Sequence, residues 1–145
     1  MITQSDMPEG YRLVVSTPDE VEIEDQNDPN FRISGALNTS GELWFEIATI
    51  DRIDGSRRTV RGKVLFDLMM SHYGSAVNAI IGYWTNGDNL EEFNRLLAAG
   101  VSEEVAATSV WAGDQARRHG FVRASIVSKI GSVNRYGLVH VEFLR

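Results

Sequence analysis

Apolar and polar residues alternate with a period of two in the first third of the chain and again at its end. Between these stretches the period lengthens towards that of a helix. Residues 11–16 have strand propensity, and residues 17–20 form a turn in which Pro18 fixes its own φ. Val21, Glu22, Ile23 and Glu24 alternate as an edge strand would. Residues 26–30 form a loop, residues 31–37 a strand, and residues 38–41 a hairpin connection into a strand over residues 42–50. On that last strand Leu43, Phe45 and Ile47 face one way, and Trp44, Glu46 and Ala48 the other.

From about Thr59 a helix runs to Tyr73. Val64, Leu65, Leu68 and Met69 supply its apolar stripe, and Gly74 stops it. Residues 77–84 are nearly all apolar and predict a central, buried strand. Asn86 and Gly87 turn the chain. Asp88 and Asn89 are N-caps with Glu91 and Glu92 at capping-box spacing, for a helix over residues 90–99 closed by Gly100. Ser102, Glu103 and Glu104 open one more helix, which ends in Arg117, Arg118 and His119 before Gly120. Residues 121–130 and 136–144 close the chain as a hairpin. Val139, Val141 and Phe143 lie on one face, and Leu138, His140, Glu142 and Leu144 on the other. The expectation is a single α+β domain over residues 1–145, with about three helices on a mainly antiparallel sheet. Residues 1–10 are polar and expected to be flexible.

Composition adds exclusions. The chain has 145 residues, 43% hydrophobic and 23% charged, ordinary for a globular domain. It has no cysteine, which rules out disulfides, thiolate metal sites and cysteine nucleophiles. No run approaches about 18 apolar residues, so no membrane span is expected. Nor does a basic start lead into an apolar run, so an export signal is not expected. The net charge of -6 is uneven: residues 1–30 hold eight acids and only Arg12 as a base. Such acidity argues against nucleic acid as a partner and leaves an acidic surface able to meet a basic one.

Several catalytic signatures are missing: a phosphate loop, a nucleophile elbow and a His-Glu-x-x-His helix. His72, His119 and His140 are too scattered for metal-ligand spacing, so no metal site is expected. The strongest chemistry is the basic stretch of Arg52, Arg57, Arg58, Arg61 and Lys63, which leads into a helix. A helix N-terminus presents free N–H groups, and arginines add forked donors. Arg57, Arg58, Arg61, Gly62 and Lys63 can together hold a phosphate or pyrophosphate. Candidate acid/base groups are His72 at a helix end, and His140 with Glu142 on one strand face beside Glu46. Tyr83, Trp84, Asp88 and Asn89 at a strand end are candidates to line a substrate cleft, with Trp84 and Trp111 as core anchors or stacking walls.

Two family resemblances follow. Strand, basic loop, helix, strand, helix and the Gly120-Phe121 turn resemble the second half of the GCN5-related acetyltransferases over roughly residues 42–127. That family holds the coenzyme A pyrophosphate on a glycine pattern at a helix start. Arg61 and Gly62 fit it, whereas Val64 and Phe66 stand where further glycines would be. The resemblance implies acyl-CoA or another phosphate-bearing cofactor. Residues 80–94 and 101–121, about a third of the chain, resemble C-terminal domains of bacterial polymorphic toxins of the Rhs type. That resemblance implies an effector, cytoplasmic or delivered into a target cell's cytoplasm, with a cognate immunity or target protein as partner. The alternative is a non-catalytic acidic binding protein, an immunity factor or inhibitor, whose contact surface is the strand over residues 21–25.

Overall fold

Four strands, β1 (Tyr11–Ser16), β2 (Glu20–Asp25), β3 (Arg32–Leu37) and β4 (Glu42–Ala48), follow one another as an antiparallel meander. The structure, a computed structural model, describes residues 1–49 and 61–145. Over these residues the chain divides into two compact units, Met1–Val77 and Asn78–Arg145. The meander belongs to the first. Its register places Val21, Gly35 and Phe45 in one cross-strand row, and Ile23, Ile33 and Ile47 in another. Partners in such a row point to the same face, and successive residues to opposite faces. One face is therefore apolar, and helix α1 (Gly62–Tyr73) covers it with Leu65, Phe66, Met69, Met70 and Tyr73. Gly35 sets the closest approach: a Cβ there would lie 2.9 Å from the Met69 sulfur. Phe45 meets Phe66 edge to face at 5.2 Å.

Three expectations change in this unit. β2 is not an edge strand, because β1 pairs along its outer side. This explains why Glu24 is buried and bonded to Arg12. The first residues carry packing and hydrogen bonds that their polar sequence does not announce. Ile2 is buried, Thr3 and Asp6 form a capping box on a short 3-10 turn, and the Gln4 side chain bonds the β1 backbone. The expected helix start at Thr59 lies outside the described residues, and Arg61 is already extended (φ -72°, ψ 149°).

In the second unit β5 (Ala79–Trp84) pairs antiparallel with β7 (Arg135–Leu144), which pairs antiparallel with β6 (Arg123–Ser132). Ile80, Trp84, Val139, Val141 and Phe143 make the apolar face. Three helices accompany these strands: α2 (Asp88–Ala98), α3 (Glu103–Ser109) and α4 (Trp111–Arg118). With α1 this makes four α-helices among the described residues, on an α+β plan of antiparallel strands.

The extra helix comes from a break. One continuous helix was expected after Ser102, but Val110 is extended (φ -70°, ψ 165°) and splits it. Gly113 shows why the break is tolerated: a Cβ there would sit 2.0 Å from the Ala107 carbonyl oxygen. α4 folds back against α3 at van der Waals distance, a close turn that the periodicity of the sequence does not reveal. The start of α2 differs too. Gly87, with φ 87°, takes the cap position expected for Asp88 or Asn89, and both of those are helical. The end of α4 is as expected. Gly120 at φ 90° lets Phe121 N–H reach Ala116 O at 3.0 Å and close the helix.

Candidate functional site

The anion-site residues come first. Arg57 and Arg58 lie outside the described residues. Arg61 occupies the cap position of α1 without capping it through its side chain, Gly62 is buried, and Lys63 is exposed in the first turn. Two cations thus stand at the start of a twelve-residue helix.

His72 sits near the other end of that helix, buried. Its Nε2 lies 2.6 Å from the Thr17 carbonyl oxygen, which can only accept, so Nε2 carries the proton. Its Nδ1 accepts the Ile2 N–H at 3.4 Å. Both nitrogens of a neutral imidazole are occupied by backbone groups, so the ring braces the N-terminus and the β1–β2 turn against α1. A proton transfer at His72 would break one of these bonds. Tyr73 next to it donates to Gly35 O at 2.8 Å. Burial, reinforced by the nearby Glu20 charge, pushes its phenol from 10.0 up to about 12.

In the second unit the strand alternation separates residues that the sequence groups together. Trp84 points into the core against Phe93 and Phe143, at ring distances of 5.9 and 6.3 Å. Tyr83 points to the opposite face and is 51% exposed. Asp88 is exposed in the first turn of α2. Asn89 instead accepts the Ala112 N–H at 3.0 Å and ties α2 to the start of α4. Tyr83 and Trp84 therefore do not line one wall.

His140 and Glu142 do share a face, as expected. Tyr83 is the cross-strand partner of His140, with rings 5.5 Å apart and nearly perpendicular, and Ser128 partners His140 from β6. Glu142 lies in the next row, with Ile81 and Ser125. Glu46, the third member of the expected acid/base set, belongs to the first unit. Asn94, which the sequence does not single out, clamps the hairpin: its amide bonds both the N–H and the C=O of Tyr136.

The first unit has a second sheet face, helix-free among the described residues of this unit, that the sequence only half reveals. Its rows run Glu20, Ala36, Trp44, then Glu22, Ser34, Glu46, then Glu24, Arg32, Ala48. Arg12 joins the last row from β1. Strand alternation adds Glu42 beyond Trp44. Arg12 bonds the buried Glu24, and Arg32 lies 3.6 Å from Glu22. Trp44 is 39% exposed, with Glu42 on one side of it and Glu46 on the other. A depression of about 210 Å³ lies beyond Glu46, lined by Asn30, Arg32, Glu46, Ile47 and Ala48.

No protein-family model, curated protein or solved structure matches the chain.

The chemistry therefore rests on the described groups alone. Among them no three His, Asp or Glu side chains gather to hold a metal ion, and no helix is long and apolar enough to cross a membrane. The signal for the Trp44 face was present in the sequence as the alternation of Glu42, Trp44 and Glu46. What periodicity could not supply was the pairing that sets Glu20 and Ala36 in Trp44's row and engages Glu22 and Glu24 with arginines.

Proposed function

We propose that the chain is a non-catalytic acidic binding protein, of the immunity-factor or inhibitor class, that acts by protein–protein contact through the helix-free face of its first unit. The observation that carries this reading is Trp44. It is a large aromatic group, 39% exposed, in the middle of a regular strand, with the small residue Ala36 as its cross-strand partner and Ser34 diagonal to it. Tryptophan is among the residue types most enriched at the anchors of protein interfaces. The contact surface shifts from the one expected of β2. Glu22 and Glu24 are engaged by Arg32 and Arg12, so the proposed contact surface centres on Trp44 instead.

The test is capture of a one-to-one complex from extracts of the source cells with the tagged chain. Trp44→Arg should abolish the complex without unfolding the protein. A complex that survives Trp44→Arg would sink the reading.

The effector reading, a transferase acting with a phosphate-bearing cofactor such as acyl-CoA, draws support from Arg61 and Lys63 at the start of α1. It expects growth arrest when the chain is expressed in the bacterial cytoplasm, and relief of that arrest by Arg58→Ala with Arg61→Ala. Normal growth of the expressing cells would count against it.

A further inference from the structure

We infer that the outer edge of β6 docks an extended, acidic segment of a partner protein, which adds to the second unit as a further strand. This edge is separate from the Trp44 face and does not depend on it. β6 is ten residues long and pairs with β7 along one side. Among the described residues no strand, turn or loop bonds its backbone on the other side. Such an edge carries a row of N–H and C=O groups that an incoming strand can complete.

Strand edges are commonly protected by lysine, by proline and by bulges. β6 has no proline, and its lysine is engaged away from the edge. Lys129 stands in the row of the buried Val139, on the apolar face of the sheet. There its ammonium bonds Glu103 at the start of α3 and lies 5.2 Å from the centre of the Tyr136 ring. The bulge at Val127 bends the strand without ending it, because pairing with β7 resumes at Ser128.

The side chains along the edge select the occupant. Pairing with Leu144, Glu142, His140 and Leu138 puts Arg123, Ser125, Ser128 and Ile130 on one face of β6. Arg123 is exposed at one end of this row, and Ile130, 65% exposed, stands at the other. The bulge takes up one residue, so a regular strand alongside meets Arg123 and Ile130 with positions six apart. An acidic side chain suits the first position and an apolar one the second. The charge also disfavours a second copy of the chain. Residues 121–141 hold Arg123, Lys129 and Arg135 and no acid, so two such edges would meet with like charge.

The probes are the capped heptapeptide Glu-Thr-Val-Thr-Val-Thr-Val and its reverse, which fit the two possible strand directions. Calorimetry on the full chain at low salt should show binding of one of them, and amide signals of β6 should shift with it. Replacing the glutamate of that peptide by lysine should weaken binding about fivefold or more, and methylating every backbone nitrogen should abolish it. Arg123→Gln and Ile130→Ser alter exposed side chains and should each weaken binding about three- to fivefold. Arg117→Gln, on a cation that Asp114 holds within α4, should leave it unchanged. No binding of either peptide, or equal binding of the lysine or methylated forms, would overturn the inference. So would a dimer of the chain that Ile130→Ser dissociates, because a second copy would then occupy the edge.

Discussion

The two units solve the same problem, fixing helices on an antiparallel sheet, by different means. Among the described residues the first has a single α-helix, and polar bonds to backbone hold it in place: Tyr73 to Gly35, and His72 to Thr17 and Ile2. The second has three helices and relies on close steric fit. Gly113 lets α4 touch α3, and Gly82 makes room for the Trp84 indole, about 3.0 Å from where its Cβ would be. A lone helix can slide or roll over an apolar face, because hydrophobic burial is not directional. Directed hydrogen bonds remove that freedom. Three helices packed on one another constrain each other and need fewer such bonds.

The largest effect should come from breaking the steric fit. Gly113→Ala places a methyl group against the Ala107 carbonyl at a distance no real contact shows, and the opposing group is rigid backbone. We expect a loss of ~3 kcal/mol or more, read by urea denaturation. A loss below ~1 kcal/mol would mean that α3 and α4 part readily, and the contrast between the units would collapse. Next in size is the polar brace. His72→Phe keeps the bulk but leaves the Thr17 carbonyl and the Ile2 N–H without their partner, which should cost ~2 kcal/mol. Limited proteolysis should then cut within residues 1–10 before the rest of the first unit. A neutral His72→Phe would show that packing alone holds α1.

Tyr73→Phe removes one hydrogen bond from the same helix and should cost ~1 kcal/mol at neutral pH. Its pH dependence is more telling. The phenol ionises near 10.0 when unfolded and only near 12 in the folded chain, because burial and then Glu20 oppose the phenolate. The stabilising contribution of this group is therefore complete below pH 10. Above it the unfolded state loses its proton first, and stability falls until the folded phenol also ionises near 12. Denaturation midpoints of the natural chain should drop across that window more steeply than those of Tyr73→Phe. Parallel slopes would remove Tyr73 as the responsible group.

How much of this was legible in the sequence differs between the units for the same physical reason. Local signals were reliable. The strand alternation of Leu43, Phe45 and Ile47, the shared face of His140 and Glu142, and the glycine stop at Gly120 depend only on neighbours in the chain. Long-range pairing was not. β1 lies outside β2, and this turned an expected edge strand with a free acidic rim into an inner strand whose Glu24 is buried against Arg12. The tight crossing at Gly113 was invisible because a small residue inside a helical pattern records no period. The candidate site followed the same rule. The fold brings Thr17 and Ile2 to the two nitrogens of His72, contacts that its place at a helix end does not announce. Tyr83 and Trp84, adjacent in sequence, went to opposite faces because a strand reverses at every residue.

The smallest effect on stability should come from Arg32→Gln, and it sharpens the comparison on the functional side. Arg32 and Glu22 are 3.6 Å apart, with 45% and 26% of their side chains exposed, a geometry in which ion pairs contribute roughly 0–1 kcal/mol. Denaturation should therefore move by no more than about 0.5 kcal/mol. Removing the cation nonetheless makes the second face of the first unit more negative, so the captured complex should withstand higher salt if its partner is basic. No such gain is expected from Arg123→Gln on β6, in the second unit. If both substitutions raised the salt tolerance equally, net charge alone would be steering the partner, and the first unit's face would hold no special place for it.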